Sequence, residues 1–226
     1  MIKAAVFDLD GTLLNREASV KYFIQNQYER FCQWFPHVSK VQYVSRFIEL
    51  DHHGYVSKDK VYPKLVDEFQ ITALAWTELL QDYTEEFKHC CVPFPNLIDM
   101  LEKLKQNHRK LGMITNGKGQ FQQDNMIALG IENYFDTILI SEWEGMKKPE
   151  PQIFKNALNN LGVLPSESMF VGDHPEKDIQ AAQNVGMKTI WKKDDYWGNV
   201  VADSVVEDLG EIPTILEKLD ERKRNC

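Results

Sequence analysis

The chain opens with an apolar run, Ile2 to Phe7, that stops at Asp8-Leu9-Asp10-Gly11-Thr12-Leu13. This junction constrains the fold more than any other stretch. Ala4, Ala5, Val6 and Phe7 show no polar alternation, so the spacing predicts a strand buried on both faces. Gly11 then lets the backbone turn sharply. In an open α/β sheet, ligands gather outside the carboxyl ends of the strands, which is where Asp8 stands. Two carboxylates at i and i+2 on a strand tip are costly to bury unless they are paired or used. The plainer reading is a solvated turn, and a lone Asp-x-Asp-Gly fits it as well.

From Arg16 to Val92 the apolar period is that of helices. Val20, Phe23, Ile24, Tyr28, Phe31, Trp34 and Phe35 mark the core face of a first helix. Ser39 is an N-cap for a second, with Val41, Val44, Phe47 and Ile48 expected inward. Asp51-His52-His53-Gly54-Tyr55 reads as a loop. Ser57 can cap a third helix carrying Val61, Leu65, Val66 and Phe69, and a fourth carries Leu79, Leu80, Tyr83 and Phe87. Pro93-Phe94-Pro95 ends this helical stretch. Beyond it strands and helices alternate: strands at Leu111–Ile114, Thr137–Ile140, Met169–Val171, Met187–Ile190 and Val205–Val206 are separated by helical segments. That alternation predicts a doubly wound, parallel α/β sheet built from residues 1–15 and 93–226, with residues 16–92 inserted as a four-helix domain. Arg222-Lys223-Arg224 is expected to be a solvated tail.

The polar residues at the ends of those strands form a set: Asp8 and Asp10, Thr115 and Asn116, Lys148 just before a helix, then Asp173 and Asp178. They stand in Asp8-Leu-Asp-Gly-Thr-Leu, Ile114-Thr-Asn-Gly, Lys148-Pro-Glu-Pro and Gly172-Asp-His-Pro-Glu-Lys-Asp178. In this order the motifs resemble the haloacid dehalogenase (HAD) superfamily of phosphohydrolases, with a helical cap inserted after the first motif and a Rossmann-like core. The resemblance implies Asp8 as nucleophile and Asp10 as general acid/base. It implies Thr115, Asn116 and Lys148 as ligands of the phosphoryl group. A carboxylate suits the first role because its acyl phosphate is readily hydrolysed. Up to four negative charges against one lysine would repel a phosphate dianion, which calls for a hard cation with oxygen ligands, Mg2+. By similarity, Asp8, the Asp10 carbonyl and Asp173 would be its ligands, with Asp178 either ligating it or holding a water on it. A helix N-terminal acid is the other reading of Asp178. Carbon–halogen hydrolases that resemble this pattern lack the second acid, so Asp10 speaks against dehalogenation.

The net charge of -8 argues against nucleic acid as a partner. No apolar stretch has the length of a membrane span, and the N-terminus lacks the regions of a signal peptide, so a cytoplasmic protein is expected. Four cysteines (Cys32, Cys90, Cys91, Cys226) show neither metal-ligand spacing nor a disulfide framework. His52 and His53 sit in a loop that faces the substrate in similar capped proteins, so they are candidate substrate ligands; an exposed polar loop is the other reading. Trp191, Tyr196 and Trp197 are expected to cover the sheet edge; stacking on a planar ligand is the other reading. The reading is thus a phosphatase of small phosphorylated metabolites, such as nucleotides or sugar phosphates. A phosphomutase, a phosphonatase with a cap lysine (Lys21, Lys58, Lys60 or Lys64), or a non-catalytic phosphometabolite-binding protein are the rivals. Monomer and homodimer are both left open.

Overall fold

Strand β1 (Ala4–Phe7) is buried along its whole length. The computed structural model describes residues 1–224, with side chains through Asp220. The chain forms two compact units: Met1–Asn15 together with the chain from Pro93 onward, and Arg16–Val92.

The second unit contains α1 (Arg16–Phe31), α2 (Lys40–Asp51), α3 (Lys58–Glu68) and α4 (Trp76–Glu86). Ser39 begins α2 with a reciprocal box: its hydroxyl accepts from the Gln42 N–H, and the Gln42 side chain accepts from the Ser39 N–H. Ser57 stands at the N-cap of α3 without a side-chain bond to the helix. Two faces differ from the sequence reading. Val41 is 74% exposed and Ile48 is exposed too, whereas Val44 and Phe47 face inward as expected and are joined there by Tyr43 and Leu50. Trp34 is also exposed: α1 ends at Phe31 and a tighter turn, Cys32–Trp34, breaks the 3.6-residue period before Phe35 goes inside. Polar groups inside this unit are matched. Buried Gln27 accepts from the Tyr43 and Tyr62 hydroxyls (3.0 Å each) and donates to the Leu79 carbonyl and Asp82 (2.9 Å each), tying all four helices together. At the end of α2, buried Asp51 is held by both arms of Arg16 (3.0 and 3.1 Å) and by the Lys58 ammonium. It is therefore a structural anchor rather than part of an open loop.

The first unit continues with α5 (Leu97–Gln106), β2 (Lys110–Thr115), α6 (Gly119–Ala128), β3 (Thr137–Ile140), α7 (Ser141–Glu144), α8 (Pro151–Leu161) and β4 (Ser168–Gly172). A wide helical segment, Pro175–Gln180, leads into α9 (Ala181–Asn184), β5 (Lys188–Lys192), β6 (Ser204–Val206) and α10 (Ile212–Arg224). The strands form one parallel sheet in the order β3-β2-β1-β4-β5-β6, the doubly wound architecture that the alternating pattern predicts. One core cluster joins Val6, Ile114, Leu139, Phe154, Leu158 and Phe170. The winding direction reverses between β1 and β4, so a crevice opens at their carboxyl ends. Trp191 does not cover the sheet edge: β6 pairs outside β5, which leaves Trp191 in an inner strand and buried. Arg222-Lys223-Arg224 belongs to the backbone of α10; its side chains, like Cys226, lie outside the described residues. Among the described residues, no helix is long and apolar enough to cross a membrane.

Candidate active site

Parallel pairing brings the strand ends together. Phe7 lies opposite Val171, so the first residues beyond β1 and β4 meet at the crevice. Asp8 N–H donates to the Val171 carbonyl (2.9 Å), and its carboxylate meets the Lys148 ammonium at 2.7 Å. The same ammonium lies 2.6 Å from Asp178 Oδ1, while Asp178 Oδ2 accepts from the His174 N–H at 3.0 Å. Asp178 thus does more than offset a helix dipole. Asn116, just past β2, fixes Lys148 through its backbone: its Nδ2 donates to the Lys148 carbonyl and its Oδ1 accepts from the Lys148 N–H, both at 2.9 Å. Asp173 is held from three sides. Thr12 Oγ1 lies 3.3 Å from its carboxylate, the Trp191 indole donates to its carbonyl (2.7 Å), and Gly11 packs against it. A β-carbon on Gly11, which has φ +80, would come within 2.5 Å of Asp173 Oδ2, so only glycine fits there. Gly172 makes the same allowance for Asp178, where a β-carbon would approach to 2.5 Å.

These carboxylates outnumber the cations that face them. One oxygen from each of Asp8, Asp173 and Asp178 lies within 4.8 Å of the others, and the ammonium beside them is that of Lys148. Burial pushes the Asp8 carboxyl up; Lys148 pulls it back and Asp178 raises it again, leaving it at about 7. Burial, Asp178 and Asp8 hold Asp173 well above the ordinary carboxylate value despite Lys148. For Lys148, burial lowers proton affinity, but Asp178 and Asp8 outweigh it and keep the ammonium charged. Carboxylate oxygens grouped this closely, two of the three residues buried and Asp173 half-buried, fit a hard divalent cation. Asp8, Asp173 and Asp178 are the residues whose carboxylates could hold one.

The Asp10 carboxylate is not in that group; its Oδ2 accepts from Gln122 Nε2 at 2.6 Å. The same Gln122 nitrogen lies 2.7 Å from the buried Thr115 hydroxyl. The structure therefore gathers Asp8, Asp10, Thr115, Asn116, Lys148, Asp173 and Asp178 within one unit, at one end of its sheet. His52 and His53 belong to the helical unit, in the left-handed turn that ends α2. Gln122, Thr12 and Trp191 escape the sequence reading as site residues. Gln122 carried a signal: with Asn125 and Met126 it forms one buried face of α6, and two amides on a core face need polar partners.

The sequence model described as haloacid dehalogenase-like hydrolase matches residues 5–192. Glyceraldehyde 3-phosphate phosphatase of Pyrococcus abyssi is 30% identical over 205 residues, which is 85% of this chain and 82% of that one. Phosphoserine phosphatase of Thermus thermophilus is 33% identical over 98 residues, 43% of this chain and 39% of the relative. Glyceraldehyde 3-phosphate phosphatases of other archaea match over about half of each chain. Among solved structures, a HAD phosphatase from Thermococcus onnurineus superposes with a TM-score of 0.68 at 29% identity, covering 95% of this chain and 98% of the other.

Proposed function

The chain belongs to the haloacid dehalogenase-like hydrolases, and from that premise we propose that it is a Mg2+-dependent phosphatase acting on small phosphate monoesters through a phosphoryl-Asp8 intermediate. One observation carries the reading: Lys148 binds the first carboxylate of the Asp-x-Asp motif and Asp178 together, within a buried carboxylate cluster at a strand-end crevice. A lysine so placed both orients Asp8 and offers positive charge to an arriving phosphoryl group.

When bound by Asp8, Asp173 and Asp178, with the Asp10 carbonyl beside them, Mg2+ supplies the positive charge that lets an anionic carboxylate meet an anionic phosphate. The chain's own groups do the rest. In the first half-reaction an Asp8 oxygen bonds to phosphorus while the bond from phosphorus to the alcohol oxygen breaks. Asp10 gives that oxygen its proton. In the second, water bonds to phosphorus and returns a proton to Asp10, and the bond to Asp8 breaks to release phosphate. Thr115 and the Asn116 backbone N–H donate to phosphoryl oxygens. Asn116 also steadies Lys148 with its side chain. The helical unit, residues 16–92, is the cap of the proposed enzyme, and His52 and His53 are its candidate substrate ligands. The names of the relatives, phosphatases of a triose phosphate and of phosphoserine, support a small phosphorylated metabolite as substrate.

A panel of sugar phosphates, nucleoside monophosphates and amino-acid phosphates, assayed for phosphate release with Mg2+ and with excess EDTA, tests this. Release from at least one ester, silenced reversibly by EDTA, is expected. Activity undiminished in EDTA would refute the metal. No release from any ester, p-nitrophenyl phosphate included, would refute the phosphatase.

A further inference from the structure

Gln122 is 2% exposed, and its amide nitrogen reaches two groups of the candidate site at once. Nε2 lies 2.6 Å from Asp10 Oδ2 and 2.7 Å from Thr115 Oγ1, with the Asn116 carbonyl a distant third at 3.4 Å. An amide nitrogen carries two hydrogens, and the two short contacts use both. The other end of the amide is fixed as well: Oε1 accepts from buried Asn125 Nδ2 at 3.2 Å. Turning the amide over would set an oxygen against the Asp10 carboxylate and two N–H groups against each other, so the network decides its orientation. The neighbouring backbone makes room for it. A β-carbon on Gly117 would come within 2.8 Å of Gln122 Cγ.

We propose that Gln122 is a positioning residue that assigns donor and acceptor roles to Thr115 and Asp10; the inference rests on the phosphatase reading above. Hydrogen counting gives both roles. Thr115 Oγ1 accepts from Gln122, so its own proton is directed away from the amide and is offered to a phosphoryl oxygen. Asp10 Oδ2 is occupied as an acceptor, so the travelling proton sits on Oδ1. It passes from there to the leaving oxygen as the phosphorus–alcohol bond breaks, and returns from water as the bond from phosphorus to Asp8 breaks. A freely rotating Asp10 would present either oxygen and spend part of its time aimed elsewhere.

The test exploits leaving groups. p-Nitrophenolate departs without a proton, whereas an alkoxide needs one. Gln122→Met keeps length and apolar bulk but removes both donors. Assayed in the full chain with Mg2+, it should lose about 100-fold in kcat/KM on an alkyl phosphate and less than about 5-fold on p-nitrophenyl phosphate. Turnover number on the latter should still fall, because water must be deprotonated in the second step. Gln122→Glu keeps the shape and the bond from Asn125 while turning an acceptor toward Asp10, and the same leaving-group dependence is expected of it. A thermal melt within a few degrees of wild type separates this effect from misfolding. Equal losses in kcat/KM on both esters, or no loss on either, would overturn the proposal. Wild-type protein inactive on both esters would overturn the phosphatase reading, and this inference with it.

Discussion

The two units each hold an ion cluster, and the carboxylates in them are pushed in opposite directions. In the helical unit one carboxylate, Asp51, faces two cations, Arg16 and Lys58. Burial raises its proton affinity, but the two cations outweigh that and hold the carboxyl below its usual value. In the α/β unit three carboxylates gather beside the Lys148 ammonium, and both Asp8 and Asp173 are pushed up. The first cluster is satisfied by its own chain, as a structural ion pair must be. The second is left wanting positive charge. The direction of that push, rather than burial or proximity, separates the anchor from the candidate site.

Substitutions at each cluster can break that distinction, and the largest expected effect is on turnover. Asp8→Asn should lower phosphate release by at least about 1,000-fold, since it removes the proposed nucleophile. It should leave the metal-free protein no less stable at pH 8, because a carboxylate already short of cations is removed; a markedly lower melting temperature would show that Asp8 is an anchor too. Lys148→Met comes next. Stripping the ammonium from buried carboxylates should cost about 3–5 kcal/mol of stability, measured by denaturant unfolding without metal. Part of that loss should return with Mg2+. Asp51→Asn removes the carboxylate charge that Arg16 and Lys58 share and should cost about 1–3 kcal/mol, with turnover per folded molecule nearly unchanged. A loss of turnover at full stability would give Asp51 a role beyond anchoring.

The smallest effect is on pH. A carboxylate raised in the fold contributes stability below its unfolded value and loses it as pH rises through the folded one. Metal-free protein should therefore melt a few degrees lower at pH 8 than at pH 5.5, through the region where Asp8 titrates at about 7. Mg2+ should flatten that slope. Asp51 works in the other direction: its contribution is in place above the unfolded carboxylate value and is lost as pH falls through the lowered folded one. Melting temperatures of Asp8→Asn and Asp51→Asn across pH assign each limb.

Much of the α/β unit was legible because its signals are local. An apolar run ending in acid and glycine marks β1, and the strand-end residues Thr115, Lys148 and Asp173 stand beside breaks in periodicity. What escaped depends on contacts across the chain. Gln122 matters because α6 packs it against the ends of β1 and β2, and Trp191 because β6 covers β5. The phase of α2 was missed for a related reason. Tyr43 counts as polar or apolar according to whether its hydroxyl finds a partner, and Gln27, on a different helix, provides one. Asp51 looked like a loop acid because Arg16 lies 35 residues away.

Covalent capture of the phosphoryl group tests the central claim most directly. Acid quenching during the first turnover, reduction of the acyl phosphate with borohydride and peptide mass spectrometry should convert Asp8 to homoserine in wild type. With p-nitrophenyl phosphate, whose leaving group needs no proton, Asp10→Asn should hold the same adduct for longer. Turnover accompanied by a phosphoryl group on any other residue, or by none at the earliest quench, would contradict it.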